Sequence, residues 1–369
     1  MRNTRYVEIM NEITPITPTL LEGAIGDAIR VCEVAAPTGR EERRAELVIH
    51  KLRNIGWTVE RDGAGNVLAY WNQRPTKPLI VMAHLDTVHV GIKNIKVARD
   101  ENVLQGPGIG DNSMGVAALL YLARAFRGHQ GPLLLAATVA EESVGNLRGA
   151  LEAVEDWNPS EVIALEGAGV EHLITSGPGS IRYRISLHGQ GGHSWEDRSQ
   201  ASATHALVEI LSQIGEEQSC ESWNIGKISG GGIVSARAAE ASAEIEFRDH
   251  SAEKLENAKQ IVDQALQNLP KGLTGQKEML GRRPGGRTSQ DHPLVQSALK
   301  IREQYGLSQE CAAVSTDANA GYGAGIPSLC VGLTHGELLH TQQEWCDVSR
   351  LEDSLNSLAQ LVWERTSAI

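Results

Sequence analysis

Continuous apolar runs alternate along the chain with segments of helical periodicity. The runs "PLIVMAH", "PLLLAATVA" and "SEVIALEG" are typical of strands that are buried on both faces. Between the first two lies "SMGVAALLYLARAF", which has the length and the apolar content of a packed helix. Strands that alternate with helices predict an α/β fold, a mostly parallel sheet sandwiched by helices.

Two local signals precede the first buried run. The stretch "PTGREERRAELVIHKLRNIG" predicts a helix that starts with a capping box of Thr38 and Glu41 and ends at Gly56. The stretch "WTVERDGAGNVLAYW" predicts a hairpin that turns at Asp62–Asn66.

The pattern changes after Gly177. "SIRYRISLHGQ" alternates apolar and polar residues, as a half-exposed strand does, and a helix, two strand-like runs and a second helix follow. We therefore expect an α+β domain at 178–285, inserted into a domain made of 1–177 and 286–369. The glycine- and arginine-rich "LGRRPGGRTSQD" is interpreted as the return linker. After it the α/β pattern resumes, with "IPSLCVGL" as a strand and Val348–Arg365 as the closing helix.

Composition narrows the class of protein. The 369 residues carry a net charge of −12, which argues against nucleic acid or an anionic membrane as the main partner. The amino terminus has no apolar signal-peptide core, and five scattered cysteines form no disulfide framework. We therefore expect a cytoplasmic protein with reduced thiols.

Histidines and carboxylates follow the predicted strands. They are His84, Asp86, Asp111, Glu141, Glu142 and Glu166, with His335, His340 and Glu344 in "HGELLHTQQEW". The carboxyl ends of parallel strands lie at one edge of a sheet, and that many carboxylates at one edge would repel each other without a cation. Imidazole with carboxylate oxygen is typical of zinc, with cobalt or manganese as alternatives.

A pair of ions sharing one carboxylate would polarise a carbonyl group and activate water. This chemistry also needs a carboxylate that accepts a proton and is not itself a ligand. The doublet Glu141–Glu142 can supply one of each, because neighbouring side chains diverge.

Six motifs, in order, resemble the M20 family of cocatalytic zinc peptidases and amidohydrolases. They are "HLDTV", "GPGIGDNSMG", "VAEESVG", "LEG", "GQGGHSW" and "HTQQEW". The resemblance implies a two-zinc centre with His84 and Glu166 on the first ion, Glu142 and His340 on the second, and Asp111 bridging both. It also implies an unusual peptide bond after Asp111, Glu141 as general base, and Asp86 as the carboxylate that orients His84.

The inserted domain resembles the family's lid and dimerisation domain. His193 would then reach the partner's site in a homodimer and stabilise the oxyanion. Arg248, Arg283 and Ser235 are implied as substrate-binding residues, the arginines for a substrate carboxylate. The implied reaction is cleavage of a small peptide, as in tripeptidases and aminopeptidases. The alternative is an N-acyl-amino-acid deacylase or carboxypeptidase, and a rival of another class is a non-catalytic binding protein.

Other interpretations stand beside these roles. Asp111 is also a candidate helix N-cap, and Glu141–Glu142 a candidate acidic pair at a helix start. His193 is also read as an ordinary loop histidine, and the two arginines as partners in structural ion pairs. His335 competes with His340, whereas His89 is read as a surface or packing residue. The glycines of "GPGIG" are not followed by the Lys-Ser/Thr of a phosphate loop.

Overall fold

The computed structural model describes residues 16–367. Part of the amino-terminal segment read above as lacking a signal peptide lies outside these residues. The helices are α1 Pro18–Cys32, α2 Glu42–Ile55, α3 Met114–Ala125, α4 Arg148–Trp157, α5 Ala203–Glu217, α6 Ala252–Gln267, α7 Pro293–Gln304, α8 Ala318–Gly323 and α9 Leu351–Thr366. Among the described residues, no helix combines the length and the apolar character needed to cross a membrane.

The strands follow the same chain-order numbering. They are β1 Thr58–Arg61, β2 Val67–Tyr70, β3 Leu79–His84, β4 Ala98–Asp100, β5 Val103–Gln105, β6 Leu133–Thr138, β7 Glu161–Ala168, β8 Leu173–Gly177, β9 Gly179–Gly189, β10 Gly192–His193, β11 Ser222–Gly230, β12 Ala236–Arg237, β13 Glu240–Asp249, β14 Leu273–Arg283, β15 Gly286–Arg287, β16 Cys311–Ala313, β17 Ser328–Glu337 and β18 Trp345–Asp347. Two compact units divide them, one running to Gly177 and resuming at Arg287, the other spanning Pro178–Gly286.

The sheet of the first unit has the order β1-β2-β6-β3-β7-β17-β18-β5-β4. Its centre, β6-β3-β7-β17, is parallel, and the flanking strands are antiparallel. Side chains of β3 alternate between two cores: Val81 packs with helices α1–α3 and α9, and Met82 with α4 and α8. Helices therefore cover both faces, which confirms the predicted α/β class.

The second unit contains a four-stranded antiparallel sheet of order β11-β13-β9-β14. Helices α5 and α6 pack on one face, where the buried residues of β9 and β13 lie. The linker prediction is wrong in part, because the start of "LGRRPGG" belongs to β14. That strand is largely polar and has an irregular register between Met279 and Gly281, so its sequence lacks a clean alternation.

The predicted capping box is also wrong. Helix α2 begins at Glu42 without a side-chain cap. The Thr38 hydroxyl donates instead to Asp86 Oδ2 at 2.8 Å, and Glu41 Oε1 accepts from the amides of Gly39 and Ala140. The other end matches the prediction, since Gly56 caps the helix with a φ of 110°, a conformation that favours glycine.

Candidate metal centre

Two predicted ligands lie side by side at the carboxyl edge of the parallel sheet. His84 ends β3, and Glu166 lies near the end of β7, which pairs with β3 through Met82 and Ala164. His84 Nε2 is 3.7 Å from Glu166 Oε2, and only 2% of the His84 side chain is exposed. A strand that simply meets water at its end would not bury the His84 ring in this way.

Asp86 fixes the orientation of the His84 ring. His84 Nδ1 lies 3.0 Å from the Asp86 carbonyl oxygen and 3.5 Å from its Oδ1. Both of these oxygens are acceptors, so the neutral ring carries its proton on Nδ1. The lone pair of Nε2 then points away from Asp86, towards the other carboxylates, as a metal ligand requires.

Asp111 lies between two histidines. Its Oδ1 is 3.1 Å from His84 Nε2, and its Oδ2 is 2.9 Å from His340 Nε2. The peptide bond between Asp111 and Asn112 is cis. Helix α3 begins later, after Ser113, so Asp111 is not its N-cap. Each carboxylate oxygen of Asp111 therefore faces a different group of side chains.

The second group contains Glu142 and His340. Glu142 Oε1 is 3.3 Å from His340 Nε2. His340 has a φ of 66°, and Ala140, just before the Glu141–Glu142 doublet, has a φ of 56°. Such backbone strain in non-glycine residues is concentrated at functional sites. The His340 side chain is 56% exposed, so this group is open to solvent whereas His84 is not.

Asp86 also positions the acidic doublet. Its Oδ1 accepts a hydrogen bond from the Glu141 amide and its Oδ2 one from the Glu142 amide, each at 3.0 Å. A single 3-10 turn, Ser143–Gly145, follows Glu142 without a side-chain cap, and the next α-helix begins only at Arg148, so the doublet does not start an α-helix. One buried carboxylate thus holds His84 and both glutamates in a fixed relation.

The charges of the site perturb its pKa values. Asp111 and Glu142 raise the pKa of His340 to about 10. Burial alone would lower the pKa of His84, but the carboxylates around it, first Asp111, raise it well above the usual value. Burial raises the pKa of Glu166 to about 7, although His84 opposes this shift. Burial would also raise the pKa of Asp111, but the two histidines lower it overall.

These side chains fit two metal ions that share Asp111. Three groups of possible ligand atoms lie within 4.8 Å of one another: His84, Asp111 and Glu166; Asp111, Glu142 and His340; and His84, Glu141 and Glu142. The first two groups share Asp111 and correspond to the two ions, and the third places Glu141 beside them. Ligand atoms on one tetrahedral zinc ion lie about 3.3 Å apart, because each is about 2.0 Å from the ion. The contacts of 2.9–3.7 Å match that spacing. Mixed imidazole and carboxylate donors suit zinc, cobalt or manganese.

Zinc uptake is expected to release protons and to strengthen with pH. The pKa of about 10 leaves His340 protonated in the metal-free protein, and a ligand must lose its proton to bind metal. Apparent affinity should therefore rise by about tenfold per pH unit for each displaced proton between about pH 7 and pH 9. Calorimetry in buffers of different ionisation heat measures the protons released. The variant His340→Ala should release fewer and His335→Ala the normal number, whereas a pH-independent affinity would contradict the assignment.

Two predicted residues of the second unit lie close together. Strands β10 and β12 pair His193 with Ala236, and the Ser194 amide donates to the Ser235 carbonyl oxygen at 2.8 Å. His193 Nδ1 accepts from the amides of Trp195 and Glu196, at 3.4 and 3.3 Å. The proton of the neutral ring is therefore on Nε2, and the exposed side chain offers a hydrogen-bond donor.

The two candidate arginines occupy one row of the second sheet. Arg248 on β13 and Arg283 on β14 both lie opposite Ser180 on β9. Arg248 donates to Glu246 at 2.9 and 3.1 Å, so the ion pair considered above is present. Arg283 is buried. Their substrate-binding role stays a prediction.

The structure also shows the surroundings of His335, His89 and the "GPGIG" loop. His335 contacts Glu171, and among the described residues it belongs to neither metal-ligand group. His89 packs with its Nε2 3.7 Å from Glu344 Oε2, its side chain 7% exposed. The "GPGIG" loop immediately precedes Asp111. The amides of Gly108, Gly110 and Asp111 donate hydrogen bonds to the Glu344 carboxylate.

Several positioning residues escaped the sequence analysis. The Asn112 side chain donates to the Leu165 carbonyl oxygen and accepts from the Gly167 amide, on either side of Glu166. Glu344 was seen only as part of an acidic cluster, yet it is completely buried. The "GPGIG" glycines, which allow the backbone to approach a neighbouring group closely, are the one sequence signal that points towards it.

Comparisons with known proteins show which family the chain belongs to. The Escherichia coli cytosol non-specific dipeptidase is 27% identical over 196 residues, covering 48% of this chain and 39% of that protein. A probable carboxypeptidase of Paracoccidioides brasiliensis is 27% identical over 282 residues, covering 66% of this chain and 64% of that protein. Both matches span less than two thirds of the relative.

The fold has a close counterpart among solved structures. A tripeptidase from Staphylococcus aureus superposes with a TM-score of 0.79 at 21% identity, covering 94% of this chain and 99% of that one. The model of peptidase family M20/M25/M40 matches residues 80–364, most of the chain. That range contains the candidate ligands, part of each half of the first unit and the whole second unit. The chain therefore belongs to peptidase family M20/M25/M40, a family of hydrolases.

Proposed function

We propose that this chain is a dizinc peptidase that cleaves an amide bond in a small peptide, in the manner of a tripeptidase or aminopeptidase. The observation that carries the proposal is Asp111, whose two carboxylate oxygens face two different histidines, at 3.1 and 2.9 Å. His84 and Glu166 would complete the first ion's ligands, and Glu142 and His340 the second's. Cobalt or manganese would fit the same donors.

When bound, the ions would polarise the scissile carbonyl group and make water more acidic. Glu141 would accept the proton of the attacking water on its carboxylate and pass it to the leaving amine. Its position supports this role: the Asp86 carboxylate accepts a hydrogen bond from the Glu141 amide, and Glu141 is a buried residue beside the ligand groups.

We further propose a homodimer in which the second unit forms the lid and the subunit contact. His193 of one subunit would donate its Nε2 proton to the substrate oxygen that gains charge at the other subunit's site. The hydrogen bonds from two amides to Nδ1 support this, because they keep the ring in the required tautomer. Arg248, Arg283 and Ser235 remain candidates for binding the substrate.

His193→Ala is expected to lower turnover by about 10²-fold without loss of zinc, because it removes one oxyanion donor. The matched control is His188→Ala, an exposed histidine of the same unit, which should keep normal turnover. Turnover and zinc content are measured on the same samples. Loss of zinc from His193→Ala would contradict the proposed role and indicate a ligand.

Mixing two inactive variants tests whether His193 acts across subunits. In a mixed dimer of Glu141→Gln and His193→Ala, one site has an intact Glu141 and receives an intact His193 from the other chain. Random exchange of subunits should restore about a quarter of wild-type turnover. If His193 acts within its own chain, or if the chain is monomeric, mixing restores nothing.

A second candidate function is removal of an acyl group from an amino acid, or a carboxypeptidase reaction. Glu166 favours it, since the resemblance links Glu rather than Asp at this position with deacylases and carboxypeptidases. A panel of di- and tripeptides and N-acyl amino acids, assayed with zinc, cobalt and manganese by mass spectrometry, separates the two. Cleavage of tripeptides from the amino end supports the peptidase, and no cleavage of any substrate contradicts both.

A cytoplasmic location forms part of the proposal. All five cysteines are free thiols, and four of them are buried. Unpaired cysteines are usual where the environment is reducing.

A further inference from the structure

The carboxylate of Glu344 lies inside the loop that carries Asp111. Its Oε1 accepts hydrogen bonds from the amides of Gly110 and Asp111, at 2.7 and 2.8 Å. Its Oε2 accepts one from the Gly108 amide at 2.9 Å. The Glu344 side chain has no exposed surface. One buried carboxylate therefore binds three amides of a single turn, including that of Asp111 itself.

The main chain of Glu344 reinforces this attachment. Its carbonyl oxygen accepts from the Gly106 amide at 2.9 Å, and the adjacent strands β5 and β18 pair Gln105 with Trp345. The loop is thus held from its start at Gly106 to Asp111. Because charged acceptors make shorter and stronger hydrogen bonds than neutral ones, the loop has one preferred position relative to Glu344.

Glu344 occupies the same relation to Asp111 that Asp86 occupies to the acidic doublet. Asp86 binds the amides of Glu141 and Glu142, and Glu344 binds that of Asp111. The buried guanidinium of Arg44 interacts electrostatically with both carboxylates. Burial lowers the pKa of Arg44 to about 10, and the negative charges of Asp86 and Glu344 partly offset this shift. The hydrogen bonds of Arg44 go to the carbonyl oxygens of Val34, Leu85 and Cys32.

We propose that Glu344 is a positioning residue that fixes Asp111 between His84 and His340, so that both metal sites depend on it. This inference rests on the proposed two-metal function. Glu344 acts through the backbone of the loop and touches neither ion nor substrate. Its effect is largest on Asp111 because this is the one residue whose amide Glu344 binds and whose side chain belongs to both groups.

The carboxylate is required for a geometric reason. Glutamine has the same length, but one of its two terminal atoms is a donor, which would face an amide N–H instead of accepting from it. Either the Gly108 amide or the pair at Gly110 and Asp111 would then be left buried without an acceptor. Aspartate keeps the charge but is one methylene shorter, so it would not reach all three amides.

The test measures zinc affinity of the metal-free protein well below its unfolding temperature, so that loss of stability alone does not affect it. Glu344→Gln should weaken zinc binding by about 10–100-fold and alter the visible spectrum of the cobalt-loaded protein. The matched control is Glu337→Gln, a 62% exposed glutamate seven positions earlier, which should change neither. Wild-type affinity and an unchanged cobalt spectrum in Glu344→Gln would overturn the inference.

A second measurement needs no variant and remains available if Glu344→Gln does not fold. Hydrogen exchange of the metal-free wild-type protein should be slow at the amides of Gly108, Gly110 and Asp111, because a buried carboxylate binds them. Exchange at the rate of exposed loop amides would overturn the inference. Failure of the proposed function gives a different result: the wild-type protein itself would not bind zinc, while these three amides would still be protected.

Discussion

Replacing Glu141 with glutamine is expected to leave zinc binding intact and to lower peptide hydrolysis by about 10²–10⁴-fold, the usual contribution of a general base. The substitution keeps the size of the side chain but replaces a carboxylate, which can accept a proton, with a neutral amide, which cannot. The backbone of residue 141 stays fixed, since the Asp86 carboxylate binds its amide and not its side chain.

The equivalent substitution at the neighbouring Glu142 should have a different effect. Glu142→Gln should lower the zinc content, because Glu142 lies 3.3 Å from His340 in the second ligand group. Zinc content by mass spectrometry and the turnover of a tripeptide are measured for both variants. Wild-type turnover in Glu141→Gln would exclude this residue as the base. Absence of turnover in the wild-type protein would instead favour a non-catalytic binding protein.

Replacing Asp111 with alanine is expected to remove both ions together and to abolish hydrolysis. Asp111 is the one residue common to both groups, and each of its carboxylate oxygens faces a different histidine. The variant also removes the carboxylate that contacts both His84 and His340. Of the groups that raise the pKa of His340, Asp111 has the largest effect. His340→Ala, by comparison, should weaken the second ion while the first is retained.

Zinc titrations followed by calorimetry separate these cases by stoichiometry. The control is Asp100→Ala, an exposed aspartate on β4 of the same unit, which should bind zinc as the wild-type protein does. Retention of one tightly bound ion by Asp111→Ala would contradict a shared carboxylate. It would favour two independent sites or a single one.

The central sheet was predictable because its strands are marked by composition. Strand β3 lies in a short apolar run that begins after Pro78, and its length favours a strand over a helix. All six of its residues are buried, as expected for a strand covered on both faces. Once the sheet is parallel, the carboxyl edge follows, and His84 and Glu166 meet there without any knowledge of tertiary contacts. The family resemblance supplied the pairing of Asp111 with both histidines, which spacing alone does not give.

The residues that sequence analysis misread make long-range contacts. Thr38 and Glu41 fit a local capping box, but their side chains bind groups 48 and 99 positions away. Glu344 accepts hydrogen bonds from amides 233–236 positions away. The local sequence around Glu344 does not predict contacts at such a separation. Strand β14 was taken in part for a linker because one of its faces is open and its polar residues hide the alternation.

The most direct test of the proposed two-metal peptidase is a zinc titration of the metal-stripped protein with tripeptide cleavage as the readout. We expect no cleavage without metal and restoration of cleavage as zinc fills both groups, with Asp111→Ala inactive at every zinc concentration. Cleavage by the stripped protein in the presence of a chelator, or full restoration of Asp111→Ala by zinc, would contradict it.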